Sequence, residues 1–110
     1  MSGSRYEVVE EAAGVGGIFQ GERPLATAEY RVVTRQLMVL TRSPGGAARR
    51  EPGLRRVDAL IRLRAGQPGP TGTTLTLCMD DGRVLDFIAK RPVLRDGWSE
   101  IKPIGGPRAN

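Results

Sequence analysis

The feature that most constrains the fold is a pair of short runs on either side of the turn sequence Asp80-Asp81-Gly82. The run before the turn reads TTLTLCM and the run after it reads RVLDFIA, so both are rich in apolar or β-branched residues. An Asp-Gly sequence between two such runs is a strong signal for a β-hairpin. Residues 73–89 are therefore predicted to form a hairpin.

The residues of this hairpin also select its register. A two-residue turn at Asp81-Gly82 would place Asp86 opposite Leu77 and aim a carboxylate at the apolar face. Burying an unpaired carboxylate costs several kcal/mol. A three-residue turn, with Gly82 in the left-handed conformation, avoids this cost. It pairs Leu77 with Leu85, Leu75 with Phe87 and Thr76 with Asp86.

The rest of the chain alternates between β-like stretches and turn residues. Residues 5–11 are predicted to form a first strand, which the glycine-rich residues 14–17 interrupt. Residues 25–40 are rich in Val and Thr, which favours a strand, although a helix that begins at Pro24 is the alternative. The strand interpretation places four side chains on one face: Ala28, Tyr30, Val32 and Thr34.

A further alternating stretch, residues 56–64, completes the strand pattern. One of its faces is apolar and consists of Val57, Ala59, Ile61 and Leu63. With short strands joined by Pro/Gly connections, the predicted fold class is all-β, an antiparallel barrel or sandwich of about six strands. The alternative is an α+β fold in which residues 25–40 are helical.

The length of 110 residues predicts a single domain over residues 1–110. Residues 41–53 hold two prolines and three glycines among their charges, so they are predicted to form a flexible basic loop. Residues 105–110, with the sequence GGPRAN, are predicted to be a frayed tail.

Composition narrows the location that we expect. No stretch approaches the roughly 20 apolar residues of a membrane-spanning helix, so no membrane partner is expected. The N-terminus carries acidic residues where a secretory signal is apolar. Cys78 is the single cysteine and therefore has no intramolecular disulfide partner. A cytoplasmic location is the expectation from these features.

The absence of histidine from the sequence restricts the chemistry. It removes Ser-His-Asp and Cys-His nucleophile pairs and any histidine general base. One cysteine and no histidine also leave no usual zinc-ligand set. We therefore expect no catalytic residues, no metal and no cofactor.

The leading functional expectation is a small non-catalytic module that binds or assembles with a protein partner, which includes another copy of itself. Short open sheets often pair through their edges. One segment is apolar on both faces of its strand and is the predicted interface: Leu37, Met38, Val39 and Leu40.

The alternative expectation is a nucleic-acid-binding barrel. Of the formal net charge of +5, most lies in residues 42–56, which hold five arginines and a single acid, Glu51. Arginine forks suit phosphate, and bases stack on aromatic side chains. The arginines predicted to contact phosphate are Arg49, Arg50, Arg55 and Arg56.

Overall fold

A computed structural model describes residues 3–42, 45–46 and 48–110, and within these ranges the chain is all-β without a helix. Its six strands are β1 (Gly3–Gln20), β2 (Arg23–Arg42), β3 (Ala48–Gly66), β4 (Thr74–Cys78), β5 (Arg83–Ile88) and β6 (Ser99–Ala109). They close into an antiparallel barrel in the order β1-β2-β3-β6-β5-β4. The predicted all-β fold of about six antiparallel strands is confirmed, and of the two expected forms, barrel or sandwich, the chain adopts the barrel. The helical alternative for residues 25–40 is wrong, since these residues lie in β2.

The barrel consists of two three-stranded meanders that meet along two short seams. In one seam, Gly17, Ile18 and Phe19 of β1 pair with β4. In the other, residues 59–61 of β3 pair with residues 99–101 of β6. Since β1, β2 and β3 are each 18 to 20 residues long, only a part of each takes part in the closed barrel.

The barrel interior is filled by the faces that alternation predicts. In β2, Ala28, Tyr30 and Val32 are buried, and the same row continues with two buried polar side chains, Thr34 and Gln36. Ala59, Ile61 and Leu63 of β3 meet them in one hydrophobic core. The largest fully buried side chains in this core are Tyr30, Phe87, Ile61, Leu77, Leu85 and Val32.

The β4–β5 hairpin has the predicted register. Leu77 pairs with Leu85, Leu75 with Phe87 and Thr76 with Asp86. Gly82 has a φ of 89°, and the Met79 backbone N–H donates to the Arg83 carbonyl oxygen at 2.8 Å. The three-residue turn is confirmed, because this bond closes the hairpin around residues 80–82.

The glycines of residues 14–17 do not interrupt the first strand, so that prediction is wrong. β1 runs through them, and they lie where the β4–β5 hairpin approaches most closely. A Cβ atom on Gly16 would collide with the Cys78 carbonyl oxygen, and one on Gly14 would collide with the Asp80 carboxylate. Glycine is required here for close packing between strands, and this requirement outweighs its low β propensity.

The long strands continue past the core as a three-stranded projection, which we call the arm. It comprises residues 3–9 of β1, 35–42 of β2 and 48–56 of β3. No arm residue belongs to the core, and the last residues that pack against it are Ala12 and Val57. The arm extends the molecule to 59 Å in its longest dimension, against 25 and 22 Å in the others.

Two predicted irregular segments are largely regular. Residues 48–52 lie in β3 and pair with β2, so the predicted flexible basic loop is wrong for this part of residues 41–53. Residues 43, 44 and 47 of that prediction lie outside the described residues. The predicted frayed tail, residues 105–110, is also wrong, because β6 continues to Ala109 and pairs with β5 there. In both segments, pairing with a neighbouring strand provides partners for the backbone N–H and C=O groups. These Pro/Gly-rich residues therefore form strands despite their composition.

Candidate interaction surfaces

The inner face of the arm continues the face that lines the barrel, but five of its side chains are charged or polar and bond to one another or to the backbone. Glu7 forms ion pairs with Arg5, at 3.1 Å, and with Arg50. The Gln36 amide donates to the Gly53 carbonyl oxygen at 2.6 Å, and Arg55 Nε donates to the Gln36 side-chain oxygen at 2.9 Å. We call these five side chains the inner network: Arg5, Glu7, Gln36, Arg50 and Arg55.

Charge within the inner network affects the acid at its centre. Hydrogen bonds from Arg5, and after it from Arg50, hold the pKa of Glu7 below its ordinary value. Glu7 pairs across the sheet with Gln36, and Gln36 pairs with Arg55. The network therefore links all three strands of the arm across one face.

The outer face of the arm carries an apolar patch that nothing in the described part of the chain covers. Tyr6 lies opposite Leu37 and is 46% exposed, and Val8 is 51% exposed. Leu54 is 79% exposed, because Gly53 and Leu54 form a bulge opposite Leu37. We call this set the outer patch: Tyr6, Val8, Leu37, Val39 and Leu54.

The predicted interface segment, residues 37–40, lies in the middle strand of the arm. All four side chains are half-buried. Leu37 and Val39 lie on the outer face, whereas Met38 and Leu40 lie on the inner face opposite Pro52 and Arg50. The segment is therefore covered only by its own neighbouring strands, and two of its residues belong to the outer patch.

The four arginines predicted to bind phosphate all lie on β3, but the structure divides them between the two faces. Arg50 and Arg55 belong to the inner network. Arg56 lies on the outer face, where its Nε is 3.2 Å from the Asp58 carboxylate, and Arg49 is exposed opposite Thr41. These arginines do not form one continuous basic surface.

A second candidate surface surrounds Trp98, which lies in the connection before β6. The guanidinium carbons of Arg31 and Arg62 lie 4.7 and 4.9 Å from the centre of its ring. Arg62 is held in turn by Glu29, whose carboxylate accepts from Arg62 Nε at 2.7 Å. Each cation–π contact of this kind contributes about 0.5–1 kcal/mol at an exposed site.

A cleft of about 1080 Å³ adjoins Trp98 on the barrel wall. Three of its lining residues are basic, Lys90, Arg91 and Lys102, and within the described ranges none of them forms an ion pair. Of its two acids, Asp58 is held by Arg35 at 2.6 Å and by Arg56. The other acid, Glu100, has no ion pair within the described ranges, so the cleft combines three unpaired cations and one unpaired carboxylate with one aromatic ring.

A smaller cleft of about 640 Å³ lies at the base of the arm, between β1 and the end of β6. Arg83 at its rim binds Glu10 at 2.6 Å and Asp81 at 2.8 Å. Hydrogen bonds from Arg83 hold the pKa of Asp81 below its ordinary value. Since Arg55, the other cation of this cleft, donates to Gln36, both cations already have partners.

Tyr30 is buried in the barrel, and its pKa is strongly raised. Its hydroxyl donates to Asp80 at 2.6 Å and accepts from the Asp80 backbone N–H at 3.2 Å. Burial, and then the bond to the Asp80 carboxylate, raises the pKa of Tyr30 to about 12. This pair fastens the β4–β5 turn to β2 and leaves Tyr30 protonated at neutral pH.

Several residues of these surfaces carried no signal in the sequence. Leu54 stands between Gly53 and Arg55 in a segment that resembles a loop, and only its pairing register exposes it. Tyr6 and Val8 alternate with charged residues as any half-buried strand does. Trp98 follows Asp96-Gly97 in an irregular connection, and no spacing relates it to Arg31 or Arg62.

The chain matches no protein-family model, and neither a curated protein nor a solved structure is detectably similar to it. Among the described residues, no helix has the length and apolar character needed to cross a lipid bilayer. In the same part of the chain, no three Cys, Asp or Glu side chains converge as a metal site would require.

Proposed function

We propose that this chain is a non-catalytic assembly module that binds another protein chain through its arm. The observation that carries the proposal is the outer patch, which lies on a sheet without a second layer. A sheet normally buries one face against another element. Exposed apolar residues that form a continuous patch mark protein interaction sites far more often than scattered ones do.

The structure of the arm supports this function in a second way. The inner network and the pairing along β2 hold the arm in shape, although no arm residue is a member of the core. A surface that is preformed loses little conformational entropy when a partner binds. The arm therefore offers a partner a preformed sheet face rather than a loop that must fold on contact.

Site-specific photo-cross-linking in cells that make the protein tests this proposal. The cross-linking residue replaces Leu54 on the arm, and a matched variant carries it at Ile104, which is 44% exposed on the barrel and lines neither cleft. We expect one dominant adduct from position 54 that disappears when Leu37→Glu is added. Equal adducts from both positions, or none from the arm, would contradict an assembly role for the arm.

A second candidate function is nucleic-acid binding, and the specific observation in its favour is the cleft beside Trp98. Phosphate-tracking surfaces combine unpaired cations with aromatic side chains on which bases stack. The cleft offers Lys90, Arg91 and Lys102 beside Trp98, whereas the arginines of β3 are divided between two faces.

The single tryptophan makes this candidate easy to test. A single-stranded oligonucleotide that enters the cleft should quench tryptophan fluorescence, with an affinity that falls steeply as salt rises. Lys90→Ala combined with Lys102→Ala should weaken that binding more than the four alanine substitutions at Arg49, Arg50, Arg55 and Arg56. Binding that depends only on the β3 arginines would place nucleic acid on the arm instead. Cytoplasmic location stays an expectation under either function.

A further inference from the structure

The edge of β1 in the arm differs from the edge of β3 in its capacity to accept another strand. Along residues 48–56, the β3 edge contains Pro52 and the bulge at Gly53 and Leu54. A strand proline removes a backbone donor at an edge, and a bulge twists the edge away from a partner. Along residues 3–8, β1 has neither device, because its bulge comes only at Val9.

From this difference we infer that a second copy of this chain pairs with the arm, β1 against β1, around a twofold axis. The inference rests on the proposed assembly function and names its partner. In a symmetric dimer the same patch serves both copies, so the edge must be complementary to itself. Antiparallel pairing of two β1 edges would produce one six-stranded sheet from two arms.

Charge on β1 selects the register of this pairing. Directly opposed residues lie on the same face of a sheet, so the twofold axis must pass through a residue and not between two. An axis at Arg5 opposes two arginines, and an axis at Glu7 opposes two glutamates; like charges that face each other are destabilising. An axis at Tyr6 places Arg5 of each copy opposite Glu7 of the other, so of these three registers only this one is complementary.

The same register joins the two outer patches. Tyr6 of each copy meets Tyr6 of the other at the axis, and aromatic cross-strand pairs are favourable. Val8 and Leu37 then flank the two rings on the shared outer face. The two barrels lie at opposite ends of the joined sheet, because each is continuous with the far end of its own β1.

Charge exchange between two single variants tests the inference. In the Arg5→Glu variant, positions 5 and 7 are both acidic, and in the Glu7→Arg variant they are both basic. Each variant therefore places like charges opposite each other in its own dimer. An equimolar mixture of the two restores opposite charges at both pairs. We expect the parent to sediment as a dimer of the 11.9 kDa chain, each variant alone to dimerise about tenfold more weakly, and the mixture to recover the parent affinity.

Glu11→Arg is the matched control, since it makes the same change of charge on the same strand outside residues 3–9. It should leave the dimer affinity unchanged. Far-UV circular dichroism of each variant shows whether the arm keeps its β structure. Recovery in the mixture is itself a control for folding, because an arm that has lost its structure would not recover.

Three results would overturn the inference, and they bear differently on the proposed function. A parent that stays monomeric at micromolar concentration excludes the second copy, while the adduct from position 54 still decides the assembly role. A dimer that the two charge variants leave intact, but Leu54→Glu disrupts, moves the contact to the outer patch and keeps the assembly role. Failure of the mixture to recover, with both variants folded, excludes the register centred on Tyr6.

Discussion

The barrel and the arm are built from the same three strands, yet only the barrel has a dry interior. In the barrel, one face of β2 meets the β4–β5 hairpin and its side chains are buried from Ala28 to Val32. Beyond Gln36 the same strand has neighbours at its sides, but no described residue covers it from above or below. Strand pairing thus gives the arm its shape, while burial against a second layer gives the barrel its stability.

The largest expected effect separates the two regions by burial. Phe87→Ala, at a side chain with 0% exposure, should lower the free energy of unfolding by about 3–5 kcal/mol. Leu54→Ala in the arm should change it by less than about 0.5 kcal/mol, because that side chain is already in water. Urea denaturation followed by circular dichroism measures both. Equal losses would show that the arm has a core of its own.

A pair of glycine substitutions tests the same difference through backbone contact. Gly16→Ala must displace the Cys78 backbone at the β1–β4 seam, which we expect to lower stability by about 1–3 kcal/mol. Gly53→Ala in the arm meets the end of the Leu37 side chain at 3.3 Å, and that side chain can move aside. If thermal unfolding shows Gly53→Ala to be the more damaging change, the arm is packed more tightly than its exposure indicates.

Two tyrosines, Tyr30 buried in the barrel and Tyr6 exposed on the arm, show the same difference for polar groups. Tyr30→Phe removes the bond to Asp80 and should lower stability by about 1 kcal/mol, whereas Tyr6→Phe on the arm should have almost no effect. The raised pKa of Tyr30 adds a dependence on pH. Its contribution is complete below pH 10 and is lost as pH rises toward about 12, the value in the folded state. Urea midpoints of Tyr30→Phe should therefore fall less over this range than those of the parent.

The smallest expected effect concerns two carboxylates at low pH. The Thr76 hydroxyl, at 2.8 Å, and then Arg108 hold the pKa of Asp86 below 3.8 and so link β4, β5 and β6. This stability is present above about pH 4 and is lost as pH falls through the lowered value in the folded state. Asp86→Asn should flatten the acid limb of global unfolding, while Glu7→Gln in the arm should alter only local amide exchange. An acid limb that Asp86→Asn leaves unchanged would remove the carboxylate from the stability of the barrel.

The parts of the fold that the sequence predicted correctly depend on neighbouring residues. The register of the β4–β5 hairpin followed from the turn sequence and from the cost of burying the Asp86 carboxylate on the apolar face. Both depend only on residues close together in the sequence. The buried faces of β2 and β3 followed from alternation, which a barrel or sandwich preserves. None of this required knowledge of how the meanders meet.

The parts that it missed depend on contacts between distant segments. The glycines of residues 14–17 resemble a turn until Cys78 and Asp80 are placed against them. The Pro/Gly-rich residues 48–53 resemble a loop until β2 is placed beside them. The arm itself is invisible in the sequence, because its strands alternate like those of the barrel and only the short length of β4 and β5 leaves them uncovered.

The candidate surfaces follow the same rule. Residues 37–40 attracted attention because they are apolar at every position, and that is a property of the segment alone. Their partner Tyr6 lies some thirty residues away and became visible only through pairing. The Trp98 cleft is lined by three separate segments of the chain, so no spacing in the sequence could have predicted it.

The narrow seams between the meanders have a consequence for how the molecule can be made. Each seam joins only three residues of one meander to three of the other, and residues 67–73, all exposed except the half-buried Gly69, connect the two halves. A break in that connection would cut no strand, and the core would still hold the strands on either side of the break together. Two co-expressed fragments divided at Pro70 should therefore complement each other into an intact barrel.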